Sequence, residues 1–535
     1  MTVLRHADQA DICLVLEGTF PYVRGGVSAW VNTMLHELTE YRFAIVYIGS
    51  TKADCAVQQY DIPANVVYFE QIFLHEGLGL SEPEAMPGSD QLFDTVSRIH
   101  GQERDRGRGL LPESLPTRGS TELFASINDF HGDQRSDGTS LHAQQMLEGV
   151  VQLYRRWGDV IETEFHRSEL AWRYICTQYS RFCTDPSFIN YFWTVKNMHA
   201  PLWQVMRAAV SPLKVRLYHA ISTGYAGFFG AFASVFHETP FVVTEHGIYS
   251  KERKIDLAKT DWIADSRNVF QRDSLELAYF RSLWIRFFYR LGSMAYSQAS
   301  AVSSLYGASR QQQIEDGALP EKTLVIPNGV DVKMLSALRE QRREDNPPVA
   351  VLIGRVVPIK DIKTFIRSMR IVRDRIPAAE AWIVGPEEES PEYAAECRNL
   401  VASYGLQECV RFLGFQNVHD IFPKARINVL SSISEALPLV VLEGYAAGVP
   451  AVCTDVGSCR ELIQGRTDDD RALGESGALV PISSPQALAD AMTRLLADDA
   501  AWLDAQRAAI ARVERYYTQE QMFSAYRGLY ERVLA

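Results

Sequence analysis

Short runs of consecutive apolar residues recur along the chain, and the stretches between them carry apolar side chains at every third or fourth position. In the first half the runs are Ile12–Leu16, Phe43–Ile48, Val66–Phe69, Val215–Ala220, Phe241–Thr244, Ala299–Ser303 and Thr323–Ile326. In the second they are Val349–Ile353, Ala381–Val384, Cys409–Phe412, Ile427–Leu430, Ala451–Thr454 and Ala478–Val480. Runs of this length without polar alternation predict strands covered on both faces. The segments Val27–Leu38, Met146–Phe165, Pro186–Val210, Thr223–Phe236, Ile362–Arg375, Pro485–Ala497 and Met522–Leu534 read as helices. In the first of them Val27, Trp30, Val31, Met34, Leu35 and Leu38 fall on one face. Trp157, Trp172, Trp193 and Trp203 read as core residues of the aromatic-rich helices rather than as a carbohydrate platform.

Strands alternating with helices predict doubly wound parallel sheets. A chain of 535 residues is too long for one core, so two or three domains are expected. The polar stretch from Lys333 to Pro348 reads as the linker. The expected architecture is α/β: two facing Rossmann-like domains, residues 1–335 and 349–517, with a cleft between their strand C-termini. The last helix, within 518–535, is free to pack back on the first domain. Between about 78 and 138 the periodicity fades into Gly, Pro, Ser, Asp and Arg, which reads as a partly flexible surface insertion.

Composition narrows the class. Hydrophobic residues make up 47% and charged residues 22%, an ordinary globular balance, and the net charge of -12 argues against a nucleic-acid binder. The eight cysteines form no Cys-x-x-Cys pair, so buried thiols in a reducing compartment are expected. The first residues hold Asp8 and Asp11 and no apolar leader segment, and no uncharged apolar run reaches membrane-spanning length. A soluble, cytoplasmic protein is the expectation.

The chemistry concentrates in Ser431–Pro450. Strand Ile427–Leu430 leads into a loop holding Glu435; Pro438 suits a first helical turn and Gly448 a C-terminal cap. Glu443 then lies about one and a half turns inside the helix. Helix amides hold an anion, and carboxylates accept hydrogen bonds from hydroxyls. Pro438 has no N–H, so the amides available there belong to Leu437, Leu439 and Val440. After the first strand of the second domain come Arg355 and Lys360, a planar fork and a point charge suited to a diphosphate. Upstream, Gly25-Gly26 precedes a helix, Glu245-His246-Gly247 ends a strand, and Asn328-Gly329 forms a turn.

These residues, in this order, resemble the family-four retaining glycosyltransferases of the GT-B fold. Within that family, Leu14–Ser28 together with Thr244–Tyr249 is similar to the cytosolic glycosyltransferases of Pel exopolysaccharide synthesis. The resemblance implies a UDP-sugar donor, with UDP-glucose and UDP-N-acetylhexosamines fitting equally, and a growing polysaccharide as acceptor. It implies Pel synthase components of the inner membrane as partners. It also assigns roles. Glu443 accepts from the ribose hydroxyls, Glu435 addresses the donor sugar, and Arg355 and Lys360 bind the leaving diphosphate with the amides of Leu437, Leu439 and Val440. Gly25, Gly26 and Asn328 line the donor, His246 supports the reacting sugar, and the backbone of Phe415 to Val418 receives the base. An activated donor needs chiefly alignment and charge stabilisation. No Asp-x-Asp motif is placed for a metal, so neither metal nor cofactor is expected. A catalytically idle nucleotide-sugar-binding scaffold, a sugar phosphorylase, or a related enzyme with another donor or acceptor are the competing readings.

Overall fold

The computed structural model describes residues 2–5, 7–55, 57–74, 123–127, 140–158, 160–260, 262–263, 278–342 and 347–535. Almost all of the expected 78–138 insertion lies outside these residues. The chain divides into two compact units. The first comprises Met1–Ser303, Gln312–Thr323 and Val533–Ala535, and the second Ser304–Gln311 and Leu324–Arg532. The division thus falls before residue 335, and Asn328 groups with the second unit. The terminal helix, Gln519–Leu534, groups with the second unit as far as Arg532, and Val533–Ala535 group with the first.

In the first sheet the strands are β1 (Thr2–Arg5), β2 (Gln9–Glu17), β3 (Phe43–Gly49), β4 (Val66–Phe73), β5 (Lys214–Ala220), β6 (Phe241–Glu245), β7 (Ala301–Ser304) and β8 (Thr323–Val325). Their order is β1-β4-β3-β2-β5-β6-β7-β8. β2 pairs in parallel with β3 and β5, β3 with β4 and β5 with β6, while β1 adds antiparallel to β4. Strand order reverses between β2 and β5. There the Glu17 carboxylate accepts from the Tyr249 hydroxyl (2.6 Å) and the Ala226 amide (3.3 Å), and Arg253 lies 3.4 Å away.

Expected helix Met146–Phe165 is two helices, Ser140–Trp157 and Val160–Arg167. The break is at Gly158, whose φ of 52° and N–H bond to the Tyr154 carbonyl end the first helix in the left-handed region that glycine enters without a Cβ penalty. Of the four tryptophans, Trp203 is core and Trp157 and Trp172 pack against it, but Trp193 is 39% exposed. Helices Glu169–Phe182, Tyr249–Lys259 and Tyr279–Gln298 add to those named from the sequence.

The second sheet holds β9 (Val349–Ile353), β10 (Glu380–Val384), β11 (Val410–Gly414), β12 (Ile427–Leu430), β13 (Ala451–Thr454) and β14 (Gly477–Val480). Its order is β11-β10-β9-β12-β13-β14, and each neighbouring pair is parallel. Alternate residues feed two apolar layers. Ala350, Leu352, Ala381, Ile383, Ile427 and Val429 meet Phe365, Met369 and Met492 on one face. Val351, Val384, Leu430 and Cys453 meet Val441, Tyr445 and Val513 on the other. With both faces covered, period-two alternation disappears into continuous apolar runs.

A buried ion pair ties the periphery of this unit. Arg512 is fully buried and donates through Nε to Asp470 Oδ1 at 2.6 Å. Its other nitrogens reach Ile463 O (2.9 Å), Asp470 O (3.0 Å), Gly474 O (2.8 Å) and Ser476 Oγ (2.9 Å). Replacing Arg512 with Met leaves a buried carboxylate without its cation and several carbonyls without donors. Loss of one partner of such a pair costs about 3–5 kcal/mol, so Arg512→Met should lower the urea midpoint of this unit sharply; an unchanged midpoint would refute the assignment.

Candidate active site

The order of the second sheet reverses between β9 and β12, which pair directly through Ile427 with Ala350 and Asn428 with Val351. In open α/β sheets ligands bind outside the strand C-termini at such a reversal. The loops leaving these two strands carry the residues singled out in the sequence. They are tied by the Ile433 amide to Ile359 O and by Ser431 Oγ to Lys360 O, both at 2.8 Å. Thr454, at the end of β13, donates to Ser432 O at 2.6 Å.

Across the junction Lys360 Nζ meets Glu435 Oε1 at 2.5 Å. Ser432 Oγ donates to the same carboxylate oxygen at 2.6 Å. Lys360 and Glu435 are 19% and 14% exposed, so the pair is sheltered but open to a ligand. Behind it the fold leaves no room for side chains. At Gly457, with φ of 54°, a Cβ would lie 2.3 Å from Glu435 O, and the next amide, Ser458, donates to Ala436 O at 2.9 Å.

Glu435 leads into the helix Leu439–Ala446. Pro438 is its N-cap, not part of its first turn. The helix has no side-chain cap and no acid in the first turn, so the amides of Leu439 and Val440 lack intrahelical partners. At the other end Gly448 N–H bonds to Tyr445 O and Val449 N–H to Gly444 O, with Gly448 at φ 76°. This is the Schellman pattern that the glycine suggested. Glu443 lies just over one turn in. Burial pushes its carboxyl above the usual range, and no side-chain hydrogen bond or ion pair to it is seen among the described residues. Asn428 of β12 donates through Nδ2 to Val440 O at 2.9 Å, pinning the first turn to the sheet.

Arg355 shares a loop with Lys360 but does not join the pair. It meets Glu389 at 2.5 Å, and both side chains are more than half exposed. Asn328 is buried, with its Oδ1 unpartnered. Phe415, in the loop after β11, is 81% exposed.

Gly25, Gly26 and His246 belong to the first unit. Gly25 is the N-cap of helix Gly26–Glu37, and a Cβ on either glycine would meet nothing. Neither internal contact nor dihedral angle demands glycine there. His246 is 8% exposed and neither ring nitrogen has a partner. Burial lowers its pKa to about 4, so the ring is neutral at pH 7. The adjacent Glu245 is different. It takes hydrogen bonds from Tyr296 (2.5 Å), Gln313 (2.9 Å), Thr223 (2.9 Å) and the Tyr249 amide (3.1 Å). Its acceptors are filled, so it fixes the strand end.

Sequence reading missed Ser432, Asn428, Thr454 and Gly457. Asn428 had a signal, a carboxamide inside an apolar strand run.

Against known proteins, this chain of paired Rossmann-like domains has the fold of the GT-B glycosyltransferases. HepE of Anabaena, crystallised with UDP, superposes with a TM-score of 0.55 at 16% identity, covering 98% of this chain and 100% of that one. Sucrose-phosphate synthase of Thermosynechococcus elongatus gives 0.53 at 15%, covering 98% of each. Residues 347–498 match the family model described as glycosyl transferases group 1. Residues 10–321, more than half of the chain, match the model described as a domain of unknown function, DUF3492, and the chain belongs to that family. An exopolysaccharide phosphotransferase of Streptomyces coelicolor is 34% identical over 152 residues, 28% of this chain and 15% of that protein. A D-inositol 3-phosphate glycosyltransferase of Corynebacterium glutamicum is 27% identical over 220 residues, 37% of this chain and 50% of that protein. The chain thus spans half or less of the length of these two relatives.

Gly457→Ala should both destabilise the second unit, by about 1–3 kcal/mol for the enforced left-handed residue, and displace Glu435. Thermal melting checks the first effect, and loss of the Lys360–Glu435 contact in a crystal structure of the variant the second. A variant that melts as wild type and keeps that contact would show that the loop has slack.

Proposed function

We propose that the protein is a retaining glycosyltransferase that moves a sugar from a UDP-sugar to a growing exopolysaccharide, of Pel type. The observation that carries the reading is the Lys360–Glu435 pair at the strand-order reversal, followed at once by uncapped helix amides and a desolvated, unpartnered Glu443. A cation and amides suit a diphosphate, and a bare carboxylate suits a diol. The group 1 model over these residues and the likeness of fold to a UDP-bound structure support the donor class.

In this reading Glu443 takes the ribose hydroxyls. Lys360 and the amides of Leu437, Leu439 and Val440 hold the diphosphate. Arg355 leaves Glu389 to stabilise charge as the diphosphate departs. Glu435, with one oxygen already held, orients the sugar through the other, and the loop of Phe415 to Val418 receives the base. Gly25 and Gly26 let the ligand approach the backbone, Asn328 offers its unpartnered Oδ1, and neutral His246 hydrogen-bonds the reacting sugar. Transfer is metal-independent, and the polysaccharide acceptor and inner-membrane Pel synthase components are the partners of a cytoplasmic enzyme, a PelF-like role. No helix among the described residues is long and apolar enough to cross a membrane.

Calorimetry with a panel of UDP-sugars, followed by transfer assays with and without EDTA, tests the whole reading. No binding of UDP or any UDP-sugar would overturn it, and binding without transfer to any acceptor would favour the idle scaffold. Two variants test the roles. Glu443→Ala should weaken uridine binding about tenfold or more, the loss of a charged hydrogen-bonding partner. Ribose hydroxyls favour the charged carboxylate, so the Glu443 pKa falls on binding. Uridine affinity should therefore drop as pH falls through the raised Glu443 pKa, and Glu443→Gln should flatten that dependence; uridine is used because it has no titrating phosphate. Arg355→Ala should lower kcat by about 10²-fold with little change in UDP affinity, and unchanged turnover would remove Arg355 from the reaction.

A further inference from the structure

We propose that Trp30 is a positioning residue for His246, setting the orientation of the imidazole and thereby the rate of sugar transfer without touching the substrate. The inference rests on the transfer reading above.

A functional histidine is commonly oriented by a hydrogen bond on the ring nitrogen that does not face the substrate. His246 has no such bond: both nitrogens are buried without a partner. Packing alone fixes its ring plane. The ring seen packed against it is the Trp30 indole, at a centroid distance of 4.8 Å and an interplanar angle of 71°, the edge-to-face arrangement that aromatic pairs favour. Trp30 is 4% exposed and lies one turn into the helix that Gly25 and Gly26 open, so the same short segment carries the glycines and the indole.

The indole is itself held. A second histidine, His219 of β5, meets it edge-on at 6.2 Å and 89°. Unlike His246, His219 is anchored: its Nε2 pairs with Thr244 Oγ1 at 2.8 Å, and Thr244 Oγ1 with Ser303 Oγ at 2.6 Å. This buried polar ladder spans β5, β6 and β7, one register level behind Glu245 and His246. The fixed histidine braces the tryptophan, and the tryptophan braces the unfixed histidine. His246 then keeps a neutral ring with both nitrogens uncommitted, one able to donate and the other to accept. A displacement of about 1 Å at such a group can cost 10²-fold in rate.

The test compares Trp30→Leu, which removes the ring, with Trp30→Phe, which restores an aromatic edge. Trp30→Leu should lower kcat at least tenfold and leave the KM for UDP-sugar and the affinity for UDP within twofold. Trp30→Phe should recover most of the rate. In ¹³C-histidine-labelled protein the ring-current shift of the His246 Cε1–H resonance should vanish in Trp30→Leu and persist in Trp30→Phe. Combining Trp30→Leu with His246→Asn should cost no more than His246→Asn alone, because the two act through one group. Wild-type kcat in Trp30→Leu, additive losses in the double variant, or an unmoved His246 resonance would each overturn the proposal. Should Trp30→Leu not fold, Trp30→Met, which also lacks a ring, takes its place with the same expected and overturning outcomes. If the wild-type protein transfers no sugar, the transfer reading fails and the proposed consequence with it. A moved resonance would then show only the contact.

Discussion

The second unit is organised around one charge pair. Lys360 ends the loop from β9 and Glu435 lies in the loop from β12, and the two meet where strand order reverses. A sheltered ion pair recovers its desolvation cost only with good geometry and further hydrogen bonds. The surroundings supply both: Ser432 gives the carboxylate a second donor, Ser431 and Ile433 lash the loops together, and Gly457 allows backbone to back the site without a Cβ. The pairing also neutralises the site before any ligand arrives. Arg355, on the same loop, is likewise engaged by Glu389. Any anion bound there would therefore exchange one anionic partner for another, and its binding energy would be the difference between two pairs rather than the full strength of either.

The first unit follows a different logic. Its buried polar groups are either filled, as Glu245 is by four donors, or neutral and unpartnered, as His246 is. Both result from burial at the end of β6. A carboxylate as fully buried as Glu245 is costly to leave without donors, and here neighbouring residues supply them. A neutral imidazole can, at the cost of orphaned nitrogens that a hydroxyl-bearing ligand would satisfy.

The strands were legible because both sheets are covered on two faces, which compresses each strand into a short apolar run. In the second half Val349–Ile353, Ile427–Leu430 and Ala451–Thr454 start and stop where the sequence indicated. Edge strand β1, with Thr2 and Arg5 among its four residues, lacks that pattern. Helix Tyr249–Lys259 is largely charged, so spacing gave no apolar face to find. The site's charged residues could be named from type and position after strands, but their pairings could not. Whether Arg355 turns to Glu435 or to Glu389 depends on where the loop after β10 runs, and no local signal encodes that. Trp30 was visible only as one more apolar helical position; its contact with His246 joins residues more than two hundred positions apart.

Strand order reverses at β2 in the first sheet and at β9 in the second, and the two reversals differ in what fills them. In the first sheet the reversal lies between β2 and β5, and the chain fills it itself. The Glu17 carboxylate at the end of β2 takes the Ala226 amide at the start of helix Tyr225–His237, and Tyr249 and Arg253 complete its shell. An internal anion already occupies the helix terminus that a phosphate would use. In the second sheet the corresponding helix, Leu439–Ala446, has proline as its N-cap, has no acid in its first turn and receives no side-chain cap. Its nearest carboxylate, Glu435, is turned to Lys360 instead. Two units built on one topological plan thus differ in what sits at the same point: a carboxylate fills the helix terminus in the first, and none does in the second.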